Sequence, residues 1–427
     1  MKKIWYLFVA LLVFTACNND EPEPVVEKAN RTVLAYLVSN NKAGVSLDNE
    51  LKDNICWMYQ GLTQMKEACD LLIYYRPYAG DGFFEGPSVI RFQNDGKGKI
   101  NGHRPLSGSY SASDVLKEAE VLKVYNTVNH NALDPAIMTA VLKDMVSLSA
   151  GSLCYGLVFG SHGTSWMPGD KTISRSFGDD NMYSINIPEM AEAIKSAYIP
   201  HLDFVYFDAC MMGTAEVMYQ FRNLASYCVA SVCETHVYGF PYNKIVPLMY
   251  SDNVTDYTVN ACKEIVNYAD ENKLWSTIAA IDLTQMEGLA YRFNELLTAN
   301  SSRLTLHEIT DIQQYGVRSY SNFSYDLLQT AELLNGGEAP ATFVKQLDKT
   351  VLYADAVSHY SLFDIDKEHY CGIGGYIPQV PTATKSVWNT YFQNNLEWSE
   401  AAGWNSISWD SVSYTHLRAH ETDSYLV

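Results

Sequence analysis

Two side chains able to do nucleophilic chemistry stand at equivalent places in two apolar stretches. The run Phe204-Val205-Tyr206-Phe207 leads through Asp208 and Ala209 to Cys210. The run Leu153-Cys154-Tyr155-Gly156-Leu157-Val158-Phe159 leads through Gly160 and Ser161 to His162. Apolar, β-prone runs of this length read as strands buried on both faces, as in a parallel sheet. Open sheets of that kind bind ligands beyond the carboxyl ends of their strands. A helical pattern begins at Gly213-Thr214-Ala215, so Cys210 is expected between a strand and a helix N-terminus, a place that stabilises a thiolate. A thiolate attacks acyl carbon, and an imidazole beside it takes and returns the proton. Taken singly, a cysteine after a strand is a small buried hydrophobe and a histidine in a Gly-rich turn is a turn residue. Together, 48 positions apart at two strand ends, they favour acyl transfer by a Cys/His pair.

Neighbouring residues extend that chemistry. Gly163 lets a backbone approach closely, and its N–H with that of Cys210 would supply two donors to an oxyanion. Asp208, two residues before Cys210, is expected on the same strand face. A carboxylate there would bind a basic substrate side chain and repel an acidic one. Helix capping or loop pairing explains an aspartate there equally well. Glu234-Thr235-His236-Val237-Tyr238-Gly239-Phe240-Pro241-Tyr242 is an aromatic loop after another strand and suits a substrate wall. The chain has no CxxC pair and no HExxH, which removes support for a zinc site, and no GxSxG elbow for a serine nucleophile.

Ser161-His162-Gly163 with Trp166, and Asp208-Ala209-Cys210 with Met212-Gly213, resemble the clostripain-like cysteine peptidases, family C11 of clan CD. Caspase-type peptidases likewise place the histidine roughly 50 residues before the cysteine. The resemblance runs from Arg31 to about Trp404. It implies a caspase-like three-layer α/β/α sandwich with a mostly parallel central sheet and a C-terminal α/β extension. It further implies endopeptidase cleavage after Arg or Lys by a Cys210/His162 dyad, with the Asp208 position lining the S1 pocket. Some members cut themselves in the loop after the histidine, where Lys171 and Arg175 are the basic residues of this chain. Some resemble calcium-dependent enzymes, and Asp179 and Asp180 could serve such a cation; no other cofactor is implied. The chain departs from the family pattern at Ser161, where Asp is frequent, and at His236 and Val237. The competing reading is an inactive caspase-like domain serving as a surface binding or adhesion lipoprotein. Retention of Cys210, His162, Gly163 and Asp208 argues against it.

The remaining pattern supplies the elements that would hold these residues. Strands are expected at 31–38, 70–75, 88–92, 153–159, 204–209, 227–232, 276–282 and 374–378. Helices are expected at 49–66, 134–148, 187–198, 214–224, 257–271, 284–297 and 388–404, with a polar loop over 163–184 and a hairpin at the sheet edge around Asn94-Asp95-Gly96. Alternation of strand and helix means a parallel sheet covered on both faces. Residues 31–250 form the catalytic core in this reading, and 251–411 its C-terminal part.

The ends read differently. Lys2 and Lys3, the apolar run Ile4–Phe14 and Thr15-Ala16-Cys17 resemble a bacterial lipoprotein signal (1–16), with lipidation at Cys17 and an acidic tether over 17–30 like that of Bacteroidota surface lipoproteins. A lipid-anchored location at the outer membrane or cell surface of a Gram-negative bacterium follows. Residues 412–427 match a reading frame through a transposon-type sequencing adapter and are set aside, with His416 and His420. A net charge of −19 argues against nucleic-acid partners. Protein or peptide substrates and a monomeric state are expected. Seven cysteines remain after Cys17 and Cys210, an odd number that cannot all pair within the chain.

Overall fold

Alternating apolar side chains let each central strand feed two cores at once. The computed structural model describes residues 29–40, 47–78, 83–126, 128–149, 151–168, 176–304, 311–316, 324–359, 365–378 and 383–407. Cys17, Lys171, Arg175 and residues 412–427 lie outside them.

The strands are β1 (Arg31–Val38), β2 (Ala68–Arg76), β3 (Ser88–Asp95), β4 (Glu120–Val124), β5 (Cys154–Gly160), β6 (Phe177–Asp180), β7 (Tyr183–Ile185), β8 (Leu202–Asp208), β9 (Tyr227–Ala230), β10 (Trp275–Asp282), β11 (Gln314–Tyr315), β12 (Ser324–Asp326), β13 (Val351–Ser358) and β14 (Gly374–Gly375). The main sheet has the order β13-β10-β9-β8-β5-β1-β2-β3-β4. Its five middle strands, β9 to β2, run parallel. Two antiparallel strands complete each edge. β6 and β7 form a hairpin, and β11, β12 and β14 a small second sheet.

Helices cover both faces: α1 (Asp48–Leu62), α2 (Ala112–Glu118), α3 (Pro135–Leu148), α4 (Ile187–Ala197), α5 (Ala215–Phe221), α6 (Tyr242–Met249), α7 (Ala261–Glu271), α8 (Met286–Asn300), α9 (Leu327–Asn335), α10 (Ala341–Thr350), α11 (Ala383–Asn395) and α12 (Glu397–Ala401). On β1, Leu34, Tyr36 and Val38 join the core under α3, α4, α5 and α8. Val33, Ala35 and Leu37 join the other, under α1, α6 and α7. β8 divides likewise, with Val205 and Phe207 on one side and Phe204 and Tyr206 on the other. Each such fully buried side chain contributes about 1.5–3 kcal/mol, which makes the strand register expensive to change. This is the three-layer α/β/α sandwich the sequence predicts. Among the described residues no helix is long and apolar enough to cross a membrane.

α3 begins as its sequence requires. Asp134 accepts hydrogen bonds from the N–H groups of Ala136 and Ile137, with Pro135 at the first position. Other expectations need correcting. The turn expected around Asn94-Asp95-Gly96 is present, with Asn94 bridging Ile100, but the short β4, which was not expected, pairs outside β3. The stretch expected as the polar loop 163–184 contains the β6–β7 hairpin, held because Phe177 is buried in the core and Asp180 is buried against Arg76. β10 lies antiparallel to β9. The last helix is two: α11 ends at Asn395 and α12 starts at Glu397.

Candidate active site

β5 and β8 are parallel neighbours, and Gly160 is in register with Asp208. His162 and Cys210 each follow two residues later, so the two loops leave the sheet at one level. The strand order reverses beside them, since β2 lies on one side of β1 while β5, β8 and β9 lie on the other. That switch point opens a crevice between the loops. A cavity of about 470 Å³ occupies it, and His162, Cys210 and Asp208 all line it.

The His162 loop is fixed from three sides. Ser161 Oγ donates to the Val38 carbonyl at the end of β1 (2.7 Å). Gly178 N–H donates to the His162 carbonyl (2.8 Å) and Thr164 N–H to the Ser176 carbonyl (3.0 Å). These bonds flank Gly163, which bridges Phe177, so the bridge consumes neither the N–H nor the C=O of Gly163. Trp166 is fully buried and packs against Tyr376 and Phe392 of the C-terminal part.

The Cys210 loop is tied to the segment after β9. Met211 N–H donates to the Cys233 carbonyl (2.8 Å) and Gly213 N–H to the Ser231 carbonyl (2.7 Å), with Met211 at φ +61°. Cys210 Sγ lies 3.6 Å from Thr235 Oγ1 and 3.9 Å from the Thr235 carbonyl. Burial first, and then the carboxylates of Glu234 and Asp208, push the thiol up to about 11, against the lowering effect of Thr235. Cys210 stands between β8 and α5 as expected, but α5 starts only at Ala215, beyond a turn, and the thiol is shifted away from ionisation rather than toward it.

Asp208 is placed at the cavity and also bound into a loop. It lines the cavity, and it pairs with a loop. Its Oδ2 accepts from Phe240 N–H (3.0 Å) and Tyr242 O–H (2.9 Å). Burial raises its pKa to about 6 in spite of these bonds. The approach of the loop needs a glycine at 239, where φ is +69° and a Cβ would meet Asp208 Oδ2 at 2.6 Å. Asn54 of α1 steadies the same loop through the Tyr238 carbonyl (2.8 Å).

Asp180 is spent elsewhere. Arg76, Asn40 and the Ala132 N–H all bond to its carboxylate. Asp179 accepts from Met182 N–H. No group of three or more His, Cys, Asp or Glu side chains suited to a metal ion occurs among the described residues.

The cavity also gathers Glu234, Thr235, His236, Val237 and Gly239 of the loop expected as a substrate wall, together with Glu50 and Trp275, which the sequence reading did not place there. The signal was available. Glu50 opens the helix after β1. The rule that drew attention to Cys210 and His162 applies to every parallel strand end.

The match to known proteins fits this geometry. A family model described as the clostripain family, peptidase C11, matches residues 35–409. No curated protein matches the sequence. Among solved structures, a secreted C11 cysteine protease from Bacteroides thetaiotaomicron in complex with an irreversible peptide inhibitor is similar, with a TM-score of 0.68 at 23% identity over 88% of this chain and 99% of that one. An inactive zymogen C11 protease from Parabacteroides distasonis gives 0.66 at 23% over 88% and 99%. Another secreted C11 cysteine protease from B. thetaiotaomicron, "iotapain", gives 0.67 at 19% over 89% and 100%. At these identities the solved structures speak for the fold.

Proposed function

The chain belongs to the clostripain family and is a cysteine-type peptidase, and from that premise we propose that it is an endopeptidase cutting after Arg or Lys with Cys210 as nucleophile and His162 as general acid and base. One observation carries this reading: His162 and Cys210 line one cavity from adjacent parallel strand ends in register. Cys210 Sγ attacks the peptide carbonyl carbon as its proton passes to His162. The N–H groups of Gly163 and Cys210 take the oxyanion. His162 returns the proton to the leaving amine, a thioester forms, and water activated by His162 hydrolyses it. A thiol held up to about 11 by burial suits proton transfer in concert with attack. Asp208, with Glu234 beside it, makes the cavity wall acidic and suits a basic side chain.

Two further proposals complete the reading. Cutting at Lys171 or Arg175 would release the chain beside the His162 loop, since Ser176 bonds to Thr164. Lipidation of Cys17 would anchor the protein at a Gram-negative outer membrane or cell surface as a monomer. Calcium enters as an assay variable only, since Arg76, Asn40 and the Ala132 N–H already take up the Asp180 carboxylate.

Fluorogenic peptides with Arg, Lys, Asp or Leu before the scissile bond, with calcium or chelator, test the activity against Cys210→Ala. Turnover of the basic peptides by wild type alone is expected. Turnover of Leu or Asp peptides instead would remove Asp208 from specificity. Folded protein that turns over none would favour a binding module. A single intact band in both wild type and Cys210→Ala would refute self-cutting.

A further inference from the structure

Behind the cavity, two hydroxyls join the loops that carry His162 and Cys210. Ser165 follows His162 by three residues, and Thr214 follows Cys210 by four. Ser165 Oγ and Thr214 Oγ1 lie 2.7 Å apart, and both residues are fully buried. Neither hydroxyl faces water, so parting the loops would leave both unsatisfied. Ser165 also holds φ at +57°, a left-handed backbone that disfavours most residues with a Cβ. A glycine would relieve that strain but carry no hydroxyl. The strained residue stands where the hydroxyl reaches across to the other loop.

Both partners are backed by one short segment of the C-terminal part. Gly374 N–H donates to the Gly213 carbonyl (3.1 Å), and Thr214 bridges Gly374. Trp166, the residue after Ser165, packs edge-on against Tyr376. Close packing of Gly163 on the Cys210 carbonyl limits how near the loops come. The hydroxyl pair limits how far they part. We infer that Ser165 and Thr214 are positioning residues, whose hydrogen bond sets the distance between His162 and Cys210 for acyl transfer. Neither lines the cavity, so both act through the loops that bear them. This rests on reading His162 and Cys210 as the catalytic pair. A purely structural bond would lower thermal stability and leave the turnover of folded protein unchanged.

The test is kcat and kcat/KM on the peptide that wild type cleaves best. Wild type, Ser165→Ala, Thr214→Val, the double variant and Thr214→Ser are compared. Thermal midpoint and the yield of alkylated Cys210, read by mass spectrometry, count the folded sites in each. Alanine keeps the Cβ and with it the backbone strain, so Ser165→Ala removes the hydroxyl alone. Ser165→Ala and Thr214→Val should each lower kcat and kcat/KM together about tenfold per folded site, as misalignment in the chemical step does. The double variant should fall no more than about threefold below the weaker single variant, because both changes remove one interaction. Thr214→Ser keeps the hydroxyl and should stay within about threefold of wild type. Thr214→Ala replaces the valine variant if that does not fold. Folded single variants of wild-type kcat, single losses that multiply in the double variant, or a Thr214→Ser loss as large as that of Thr214→Val would each overturn the inference and leave the catalytic pair standing. Wild type whose Cys210 alkylates fully but which cleaves no peptide would overturn the reading of that pair, and this inference with it.

Discussion

A Cβ on Gly163 would stand 2.6 Å from the carbonyl oxygen of Cys210, and 3.2 Å from Ala209 Cβ and Met212 Sδ. The loops carrying the two proposed catalytic residues touch through a missing side chain, and one of the atoms in the way is backbone that cannot swing aside. Gly163→Ala is expected to part the loops by several tenths of an ångström. Loss of alignment should cost about 10²-fold in kcat/KM, with about 1–3 kcal/mol of stability lost to overpacking. Peptide turnover and thermal denaturation on the same sample check both. A variant of wild-type activity and midpoint would show that the loops separate without consequence.

The same crowding bears on the thiol. Burial, Glu234 and Asp208 together hold Cys210 up to about 11. Its folded pKa is therefore above neutrality, and the thiolate fraction rises with pH throughout the working range. Alkylation of the free enzyme by neutral iodoacetamide should accelerate about tenfold per pH unit from 7 to 9, in proportion to that fraction. A rate already level below pH 7 would instead mark a preformed thiolate–imidazolium pair.

Asp208 should leave its mark on the acid limb. Its carboxyl is raised to about 6, burial outweighing the bonds from Phe240 and Tyr242. Below pH 6 it takes a proton and the cavity loses that negative charge. Turnover of peptides with a basic side chain before the scissile bond should fall as pH drops through 6. Asp208→Asn should cut kcat/KM for them about 10- to 100-fold at pH 8 and abolish that limb. The asparagine oxygen can still accept from Phe240 and Tyr242, so the fold should survive. An unchanged acid limb in a folded Asp208→Asn protein would mean that another group produces it.

The sheet, and the placing of His162 and Cys210 over one cavity, were legible because their signals are local. Short apolar runs rich in aromatic and β-branched residues, such as Leu34–Val38 and Phe204–Phe207, read as strands buried on both faces, and the residue after such a run is marked by position. What escaped depends on distance. β4 offers five residues with exposed flanks, Val121 and Val124 among them, and pairs only because β3 is already there. The β6–β7 hairpin reads as polar loop because Asp180 looks solvated until Arg76, 104 positions away, is brought to it. Glu50 carries no motif; it reaches the cavity because α1 and the loop after β9 meet there. The helix-terminal thiolate failed for a local reason, since Met211 turns with φ +61° and four residues intervene before α5.

Glu216 provides a test of the frame behind the site. It lies in the first turn of α5, 1% exposed. One oxygen accepts from Tyr376 N–H (2.8 Å), and the other, buried, has no partner among the described residues. Burial raises its pKa to about 7 from an ordinary 4.5. Between those values the native state holds a proton that the unfolded chain has released. Stability contributed by this group is therefore complete below pH 4.5, declines as pH rises, and is lost above 7. The loss is on the order of 3 kcal/mol. Glutamine keeps the acceptor for Tyr376 and never ionises. Glu216→Gln should match wild type at pH 5 and exceed it at pH 8 by a few degrees in thermal midpoint, as expected from a change of that size. Because α5 follows the Cys210 loop and Tyr376 packs on Trp166 behind the His162 loop, the ionised carboxylate loads the contact that ties the two loops to the C-terminal part. No gain at pH 8 would mean that the carboxylate finds a compensating partner as it ionises, and that this contact is not the weak point of the frame.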